Sequence, residues 1–272
     1  MWSWYLPERI NIGLIFSRGG AKGIPGKNIK NFHGRPLLEW VVEAAKNSKL
    51  FDSIYLSTDD PNIAALGREI GLEVPFLRPA SLATDTSDQF KSHDHIIKKL
   101  KLNDFEHRIC VINNNPFIGQ QMFKASFREF MANDETRIVV DAIRINSDEH
   151  YYRQMIRNGS ILEIKFKDDY MSSNINRQAD KDLYAPTNNI RWGLPSWMQS
   201  YTAYKKKVSE VGHGFIILPK IRNFDLDYMF DWTISEKVFF YAAEIYTFFI
   251  WAFCFENTPW GLKGSTRCRY VH

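Results

Sequence analysis

Apolar runs alternate with amphipathic segments through most of the chain. Short apolar runs predict buried strands at 10–16, 53–57, 73–77, 108–113, 137–144 and 215–218. Apolar residues spaced three or four apart predict helices at 36–46, from 61 onward, at 88–100, at 120–131 and from 228 onward. A proline at position 61, after Asp59 and Asp60, predicts a capped helix start. The order of elements predicts an α/β fold, in which a mostly parallel sheet carries helices on both faces.

The alternation breaks down between residues 145 and 207. Short apolar pieces flank Asn158-Gly159, a pair typical of a hairpin turn. We therefore predict a main α/β domain at 8–144 and 208–240, an extension at 145–207, and a separate tail at 241–272.

The stretch 238–255 is strongly apolar and aromatic. It is about as long as a short membrane span, but Glu244 lies near its middle, where a carboxylate is costly. A membrane helix is therefore disfavoured, and a buried helix or a subunit interface fits better. A tail that lies outside the main fold is the third alternative.

Composition narrows the class of protein. The chain has 272 residues and 44% hydrophobic content, enough for one sizeable domain, and its net charge of +4 does not call for a nucleic-acid partner. Cys110, Cys254 and Cys268 are too far apart for a metal-ligand motif or a disulfide framework. Together with the lack of a secretory apolar segment near Met1, this usage predicts a cytoplasmic protein.

A basic, glycine-rich loop follows the first predicted strand. Residues 17–28 hold four glycines together with Arg18, Lys22 and Lys27. Glycine lets the backbone approach an anion and turn its N–H groups toward it, and the cations supply countercharge, so the loop predicts nucleotide phosphate binding. Asn28 stands where an ATPase P-loop needs Ser or Thr, and the glycine spacing does not fit a dinucleotide fingerprint. The alternative is an ordinary basic surface turn.

A pair of aspartates lies far downstream, in Asp225-Leu226-Asp227. On an extended segment, the two carboxylates point to the same side. Such a pair suits Mg²⁺, which binds protein carboxylates together with substrate phosphates. Two solvated aspartates before a helix, with Asp227 as the N-cap, are the simpler alternative.

Residues 18–28 resemble the signature R-x-G-S-K-G-I-P-x-K-N of the sialic-acid (N-acylneuraminate or nonulosonic acid) cytidylyltransferase family, the CMP-sugar synthetases. Ala21 replaces the signature serine. Further similar blocks follow in the family's order at 34–38, 50–52, 57–60, 74–79 and 82–87, and the acidic block resembles the family's C-terminal D-L-D. The resemblance implies a three-layer Rossmann-like fold of the nucleotide-diphospho-sugar transferase type. It also implies a homodimer formed through the extension.

The resemblance further implies a reaction. CMP would pass from CTP to a 2-keto-3-deoxy sugar acid with release of pyrophosphate, and Asp225 and Asp227 would hold the Mg²⁺ cofactor. Arg18 and Lys22 would neutralise the triphosphate. The other residues that the resemblance places at substrate are Gly19, Gly20 and Gly23 as backbone donors, Lys27 and Asn28 at phosphate or ribose, Arg78 and Ser87 near cytosine, and Arg177 and Gln178 at the sugar acid.

One segment departs from the family pattern. The family's Q-P-T-S-P-[LF]-R is replaced here by a run in which Ile112 takes the place of the glutamine and Ile118 that of the arginine. Asn113, Asn114 and Asn115 either donate to the acceptor or form a polar loop. We therefore expect an unusual sugar acid. Another nucleotidyltransferase of the same fold, or a nucleotide-binding protein that has lost catalysis, are the competing hypotheses.

Overall fold

The computed structural model describes residues 9–84, 86–132, 137–146, 155–158, 161–165, 183–222 and 224–239. The strands are β1 (Ile10–Ser17), β2 (Asn31–Phe32), β3 (Arg35–Pro36), β4 (Ser53–Thr58), β5 (His107–Ile112), β6 (Ile138–Arg144), β7 (Met155–Asn158), β8 (Ile161–Ile164), β9 (Tyr184–Gly193) and β10 (His213–Leu218). The helices are α1 (Leu37–Ser48), α2 (Pro61–Glu69), α3 (Gln89–Lys99), α4 (Gln120–Ala132), α5 (Pro195–Met198) and α6 (Tyr201–Val211), and residues 229–239 are also helical.

A six-stranded mixed sheet forms the centre of the fold, in the order β10-β6-β9-β5-β1-β4. Strand β1 pairs in parallel with β4 and β5, and β10 pairs in parallel with β6. Only β9 runs antiparallel, between β5 and β6. The predicted α/β class with a mostly parallel sheet is confirmed.

Polar side chains fix where the helices begin. The Asp60 carboxylate accepts hydrogen bonds from the amides of Asn62 (2.7 Å) and Ile63 (3.2 Å), and Asp88 accepts one from Phe90 (2.9 Å). Each bond satisfies an amide that the first helical turn leaves without a partner. The predicted cap before Pro61 is therefore confirmed, and Asp60 is the residue that provides it.

Two apolar layers cover the sheet. On one face, α1, α2 and α4 pack around a core that includes Val41, Phe123 and the fully buried Trp192 of β9. On the other face, Ile96 and Ile97 of α3 and Met198 of α5 pack on strand residues. The central strand β6 is buried through six of its seven residues because it is flanked on both sides and covered on both faces.

Two elements differ from the prediction. Residues 73–77 do not form a strand but a single bridge between Tyr55 and Glu73. Residues 184–193, assigned from the sequence to the extension, form β9 in the main sheet, and α5 and α6 pack on that sheet as well. The insertion of one antiparallel strand breaks the strand–helix alternation. For that reason the sequence pattern assigned these residues to the extension and not to the main domain.

Part of the predicted extension does form a hairpin. Strands β7 and β8 pair antiparallel, with Met155 opposite Ile164 and Asn158 opposite Ile161, as the Asn158-Gly159 turn predicts. The predicted tail at 241–272, the cysteines Cys254 and Cys268, and the site candidates Arg177 and Gln178 lie outside the described residues. Within the described ranges, no helix combines the length and the apolar character needed to cross a membrane.

Candidate active site

A cleft of about 380 Å³ opens at the carboxyl end of the parallel strands. The glycine loop, the turn around residue 84, the end of β5 and the acidic segment form its walls. The predicted site residues that line it are Arg18, Lys22, Gly23, Lys27, Asn28, Arg78, Ser87, Asn113 and Asp227. Cationic and acidic residues that are about 200 positions apart in the sequence therefore face the same space.

The glycine loop is held in place by one buried apolar residue and a series of tight turns. Ile24 is almost fully buried, with 1% of its surface exposed. The amide of Lys27 donates to the carbonyl of Ile24 (3.1 Å), and that of Lys30 donates to the carbonyl of Gly26 (2.9 Å). Gly26 has φ +64°, a conformation that glycine adopts without steric cost. These contacts leave the cationic side chains on the outer side of the turn.

A small apolar cluster joins the glycine loop to the acidic segment. Ile24 of the loop packs with Leu226, which lies between the two aspartates and is 3% exposed. Phe32, Leu37 and Trp232 complete the cluster. Because Leu226 points into the protein, Asp225 and Asp227 are exposed on the opposite side of the extended segment, as the alternation predicts.

Two further contacts connect the same two segments. Lys27 Nζ donates to the carbonyl of Leu226 (2.8 Å) and lies 3.9 Å from Asp227 Oδ1. The backbone of Gly23 passes directly against the carbonyl of Asp227, so closely that a Cβ atom at position 23 would overlap it. The loop and the acidic segment therefore form one continuous wall.

The two aspartates of the acidic segment interact electrostatically with each other and with Lys27. Partial desolvation raises the pKa of Asp225, the negative charge of Asp227 raises it further, and Lys27 opposes both effects. In contrast to Asp227, Asp225 is not part of the cleft wall, although the two charges interact. A cation placed between the pair would relieve this repulsion.

The donor set fits Mg²⁺ that is shared with a substrate. Among the described residues, no group of three His, Cys, Asp or Glu side chains is arranged to hold a metal by itself. Two carboxylates beside a phosphate-sized cleft match the way Mg²⁺ is usually held, by one or two carboxylates together with substrate phosphates. Asp225 and Asp227 are the residues that would hold it.

Asp59 organises the start of the glycine loop, a role that the sequence analysis missed. Its Oδ1 accepts a hydrogen bond from the amide of Gly19 (3.2 Å) and lies 3.7 Å from Nη2 of Arg78. The Gly19 amide, predicted to face phosphate, is thus used inside the protein. Arg78 is only 5% exposed, and burial together with the charge of Arg18 lowers its pKa, while Asp59 raises it. Asp59 directly follows β4 at the carboxyl edge of the sheet, which is the signal that could have identified it.

Asparagines brace the other side of the loop. Asn114 Nδ2 donates to Asn28 Oδ1 (2.9 Å) and Ser17 Oγ (2.7 Å), and Asn28 Nδ2 donates to the carbonyl of Arg18 (3.3 Å). Asn115 Nδ2 donates to Asn189 Oδ1 (2.9 Å), away from the cleft. Asn114 and Asn115 therefore belong to the internal polar network. Asn113 and Asn114 both line the cleft, and Asn113 is the exposed one of the two.

Ser87 lies at the end of the cleft predicted to receive the base. Its hydroxyl donates to the carbonyls of Thr84 (2.8 Å) and Leu82 (3.2 Å). The oxygen can still accept a hydrogen bond from a ligand amino group. Gly20 is exposed in the loop and does not line the cleft.

Known proteins are similar to this chain in sequence. A family model described as cytidylyltransferase matches residues 12–174. The pseudaminic acid cytidylyltransferase of Campylobacter jejuni subsp. jejuni serotype O:23/36 is 33% identical over 125 residues, which are 45% of this chain and 54% of that protein. The CMP-N,N'-diacetyllegionaminic acid synthase of Legionella pneumophila is 24% identical over 84% of this chain and 95% of its own length. The chain thus spans about half the length of the pseudaminic acid relative that it matches.

Solved structures share the fold. A structure of CMP:2-keto-3-deoxy-manno-octonic acid synthetase complexed with CTP superposes with a TM-score of 0.62, covering 85% of this chain and 98% of that one. A 4-diphosphocytidyl-2C-methyl-D-erythritol synthase from Anaerococcus prevotii gives a TM-score of 0.54 over 85% of this chain and 98% of its own. At 12% and 13% sequence identity, these similarities concern the architecture alone.

Proposed function

The chain belongs to the cytidylyltransferase family, and on that basis we propose that it transfers CMP from CTP to a 2-keto-3-deoxy sugar acid of the nonulosonic type. The observation that carries the proposal is the single cleft in which Arg18, Lys22 and Lys27 face Asp227. Three cations match a triphosphate, and the acidic pair matches the metal ion that accompanies one. The names of the relatives, which contain pseudaminic acid and legionaminic acid, support a nonulosonic acid as the acceptor.

In the proposed reaction, the anomeric hydroxyl oxygen of the acid attacks the α-phosphorus of CTP and loses its proton to solvent. The bond from that phosphorus to the bridging oxygen breaks, and pyrophosphate leaves. Arg18 and Lys22 stabilise the charge that builds up on the departing pyrophosphate. Lys27 fixes the acidic segment against the loop, and Arg78 and Ser87 orient the base. Mg²⁺, when bound at Asp225 and Asp227, would neutralise part of the negative charge on the phosphate oxygens.

The test is a pyrophosphate-release assay on the full chain. CTP with Mg²⁺ and a panel of nonulosonic acids is expected to release pyrophosphate with at least one acid, and UTP, GTP and ATP serve as matched controls. Turnover with another nucleotide in preference to CTP would favour a different nucleotidyltransferase. CTP binding without turnover on any acid would favour a protein that has lost catalysis.

We also propose that the chain acts as a homodimer in the cytoplasm, with the extension around β7 and β8 at the subunit contact. The resemblance to the family supports the dimer, and among the described residues β7 and β8 pair only with each other, in a two-stranded sheet apart from the main one. Light scattering is expected to give twice the chain mass of 31.8 kDa. A monomer at the concentrations used for the assay would contradict the proposed contact.

A further inference from the structure

A second cavity lies beside the nucleotide cleft. It has a volume of about 230 Å³ and shares Phe16, Arg78 and Asn113 with the first cleft. Gln89 and Ser92 of α3 also line both cavities. The residues that line only the second include His93, Asn188 and Arg191. The two cavities are therefore adjacent.

Arg191 is the unusual residue of this cavity. It lies in β9 and is only 4% exposed, although arginine is rarely buried without an ionic partner. Its Nη2 donates to Asn188 Oδ1 (2.7 Å), but Nε and Nη1 are buried without a hydrogen-bond partner among the described residues. The Nε and Nη1 N–H groups of the guanidinium therefore have unused hydrogen-bonding capacity next to a cavity.

Neighbouring groups compensate this charge only in part. The guanidinium carbon lies 5.1 Å from the ring centre of Tyr204 and 6.0 Å from that of Phe90, at distances typical of cation–π contacts. On the adjacent strand, Asp141 accepts hydrogen bonds from Thr187, from Asn189 Nδ2 and from the amide of Ile190, so its oxygens are already engaged. Burial, together with the positive charge of Arg191, lowers the pKa of His93 to about 3, so this imidazole is neutral at pH 7. Arg191 therefore lacks a hydrogen-bonded carboxylate partner among the described residues, whereas Arg78, the other cation of this cavity, lies 3.7 Å from Asp59.

The backbone holds Arg191 in a prepared position. Asn188 has φ +56°, a left-handed conformation that is uncommon outside glycine and that asparagine tolerates better than most residues. This conformation accompanies the contact of its side-chain oxygen with the guanidinium. Unusual backbone geometry of this kind is concentrated at binding and catalytic sites.

Resting on the function proposed above, we propose that Arg191 binds the carboxylate of the acceptor sugar acid, with Asn188 as its positioning residue. A guanidinium with unused N–H donors at Nε and Nη1 suits the oxygens of a carboxylate, which accept hydrogen bonds from a cation. One cation without a hydrogen-bonded carboxylate partner suits a monoanion. The first cleft is lined by four cations, Arg18, Lys22, Lys27 and the shared Arg78, which suit a triphosphate. With this assignment, the residue that binds the carboxylate lies on the main sheet and is independent of Arg177 in the extension.

The test compares enzyme and acceptor changes in the pyrophosphate-release assay. Arg191→Gln is expected to raise KM for the acid by about 10- to 150-fold, the range for hydrogen bonds to a charged group, and to leave KM for CTP unchanged. Arg191→Lys keeps the charge without the fork and is expected to recover only part of the loss. Arg108→Gln is the matched control, because Arg108 is also buried, at 8% exposure, and lies in β5 where its Nη1 bonds the carbonyl of Arg9.

An acceptor whose C1 carboxylate is replaced by a carboxamide provides the second change, so that enzyme and acceptor changes form a thermodynamic cycle. It should lose about the same factor as the Arg191→Gln variant, and the two losses should not add when combined. Additive losses, or an unchanged acid KM in Arg191→Gln, would overturn the proposal and leave the cytidylyltransferase function intact. If the wild type releases no pyrophosphate with any acid, the function and this inference fall together.

A folding defect must be separated from lost binding. CTP-dependent thermal stabilisation shows whether Arg191→Gln is folded. Asn188→Gly provides a second test, because it removes the anchoring amide and also relieves the left-handed backbone. It should raise the acid KM by a smaller factor than Arg191→Gln does, and an unchanged acid KM in a folded Asn188→Gly variant would argue against the positioning role.

Discussion

The contact between Gly23 and Asp227 can be tested directly by adding one methyl group. In Gly23→Ala, the new Cβ would overlap the carbonyl oxygen of Asp227 and lie 3.0 Å from its carbonyl carbon. The atom it meets belongs to the backbone, so it cannot swing away as a flexible side chain could. Relief requires that the loop and the acidic segment move apart by on the order of 1 Å.

A shift of that size is expected to disturb catalysis much more than folding. A misplacement of about 1 Å at a reacting centre costs roughly 100-fold in rate, which corresponds to about 3 kcal/mol of activation free energy. Because Asp227 moves away from the loop cations, a higher Mg²⁺ concentration should be needed for half-maximal rate. Pyrophosphate release at varied Mg²⁺ and CTP concentrations measures both effects.

The matched control is Gly20→Ala in the same loop. An added Cβ at position 20 meets no atom within 4 Å, so the variant should keep a rate close to that of the wild type. If Gly23→Ala retains wild-type rate and Mg²⁺ titration, the loop and the acidic segment do not form one wall in the working protein, and the proposed site is wrong. Urea unfolding of both variants shows whether a lost rate reflects global destabilisation.

Three further predictions concern charged and titratable groups. Lys22→Ala should lower turnover about 100-fold or more through loss of a cation at the transition state, with the exposed Lys91→Ala as control, and a near-normal rate would refute the role. Asp225→Asn should raise the Mg²⁺ concentration needed for half-maximal rate, and an unchanged titration would favour two solvated aspartates. Burial lowers the pKa of His93 to about 3 in the folded protein. Between pH 6.5 and 3 the imidazole is therefore protonated in the unfolded chain but not in the folded one, so the free energy of unfolding should fall as the pH drops from about 6.5 toward 3. His93→Gln should remove a slope of up to about 1.4 kcal/mol per pH unit in urea unfolding, and parallel slopes would contradict this.

The parts of the site that could be predicted from sequence are those with a local chemical pattern. Glycines and cations that directly follow an apolar run indicate a phosphate loop wherever the rest of the chain lies. The alternation Asp225-Leu226-Asp227 likewise fixes which side each residue faces, and the burial of Leu226 agrees with it. Neither pattern alone could place the two segments against each other. That expectation came from the resemblance to a family.

The parts that were missed depend on long-range packing. Asp59 follows a strand as a helix-capping residue would, and its bonds to Gly19 and Arg78 exist only because three loops meet at one edge of the sheet. Arg191 lies in a strand with polar residues at its start, which the sequence pattern assigned to an irregular extension. Only the insertion of β9 between two other strands buries that guanidinium.

Apolar packing, more than the ion pair, determines how the phosphate loop meets the acidic segment. The Lys27–Asp227 pair is 3.9 Å apart and its aspartate side chain is 62% exposed, so it contributes about 0–1 kcal/mol. Full burial of a leucine such as Leu226 stabilises by roughly 1.5–3 kcal/mol, and Ile24 adds a similar amount from the other side. Because salt screens only the weaker term, the two segments should stay together at ionic strengths that weaken phosphate binding. Hydrophobic contacts behind the loop therefore keep Asp225 and Asp227, the proposed metal ligands, in position.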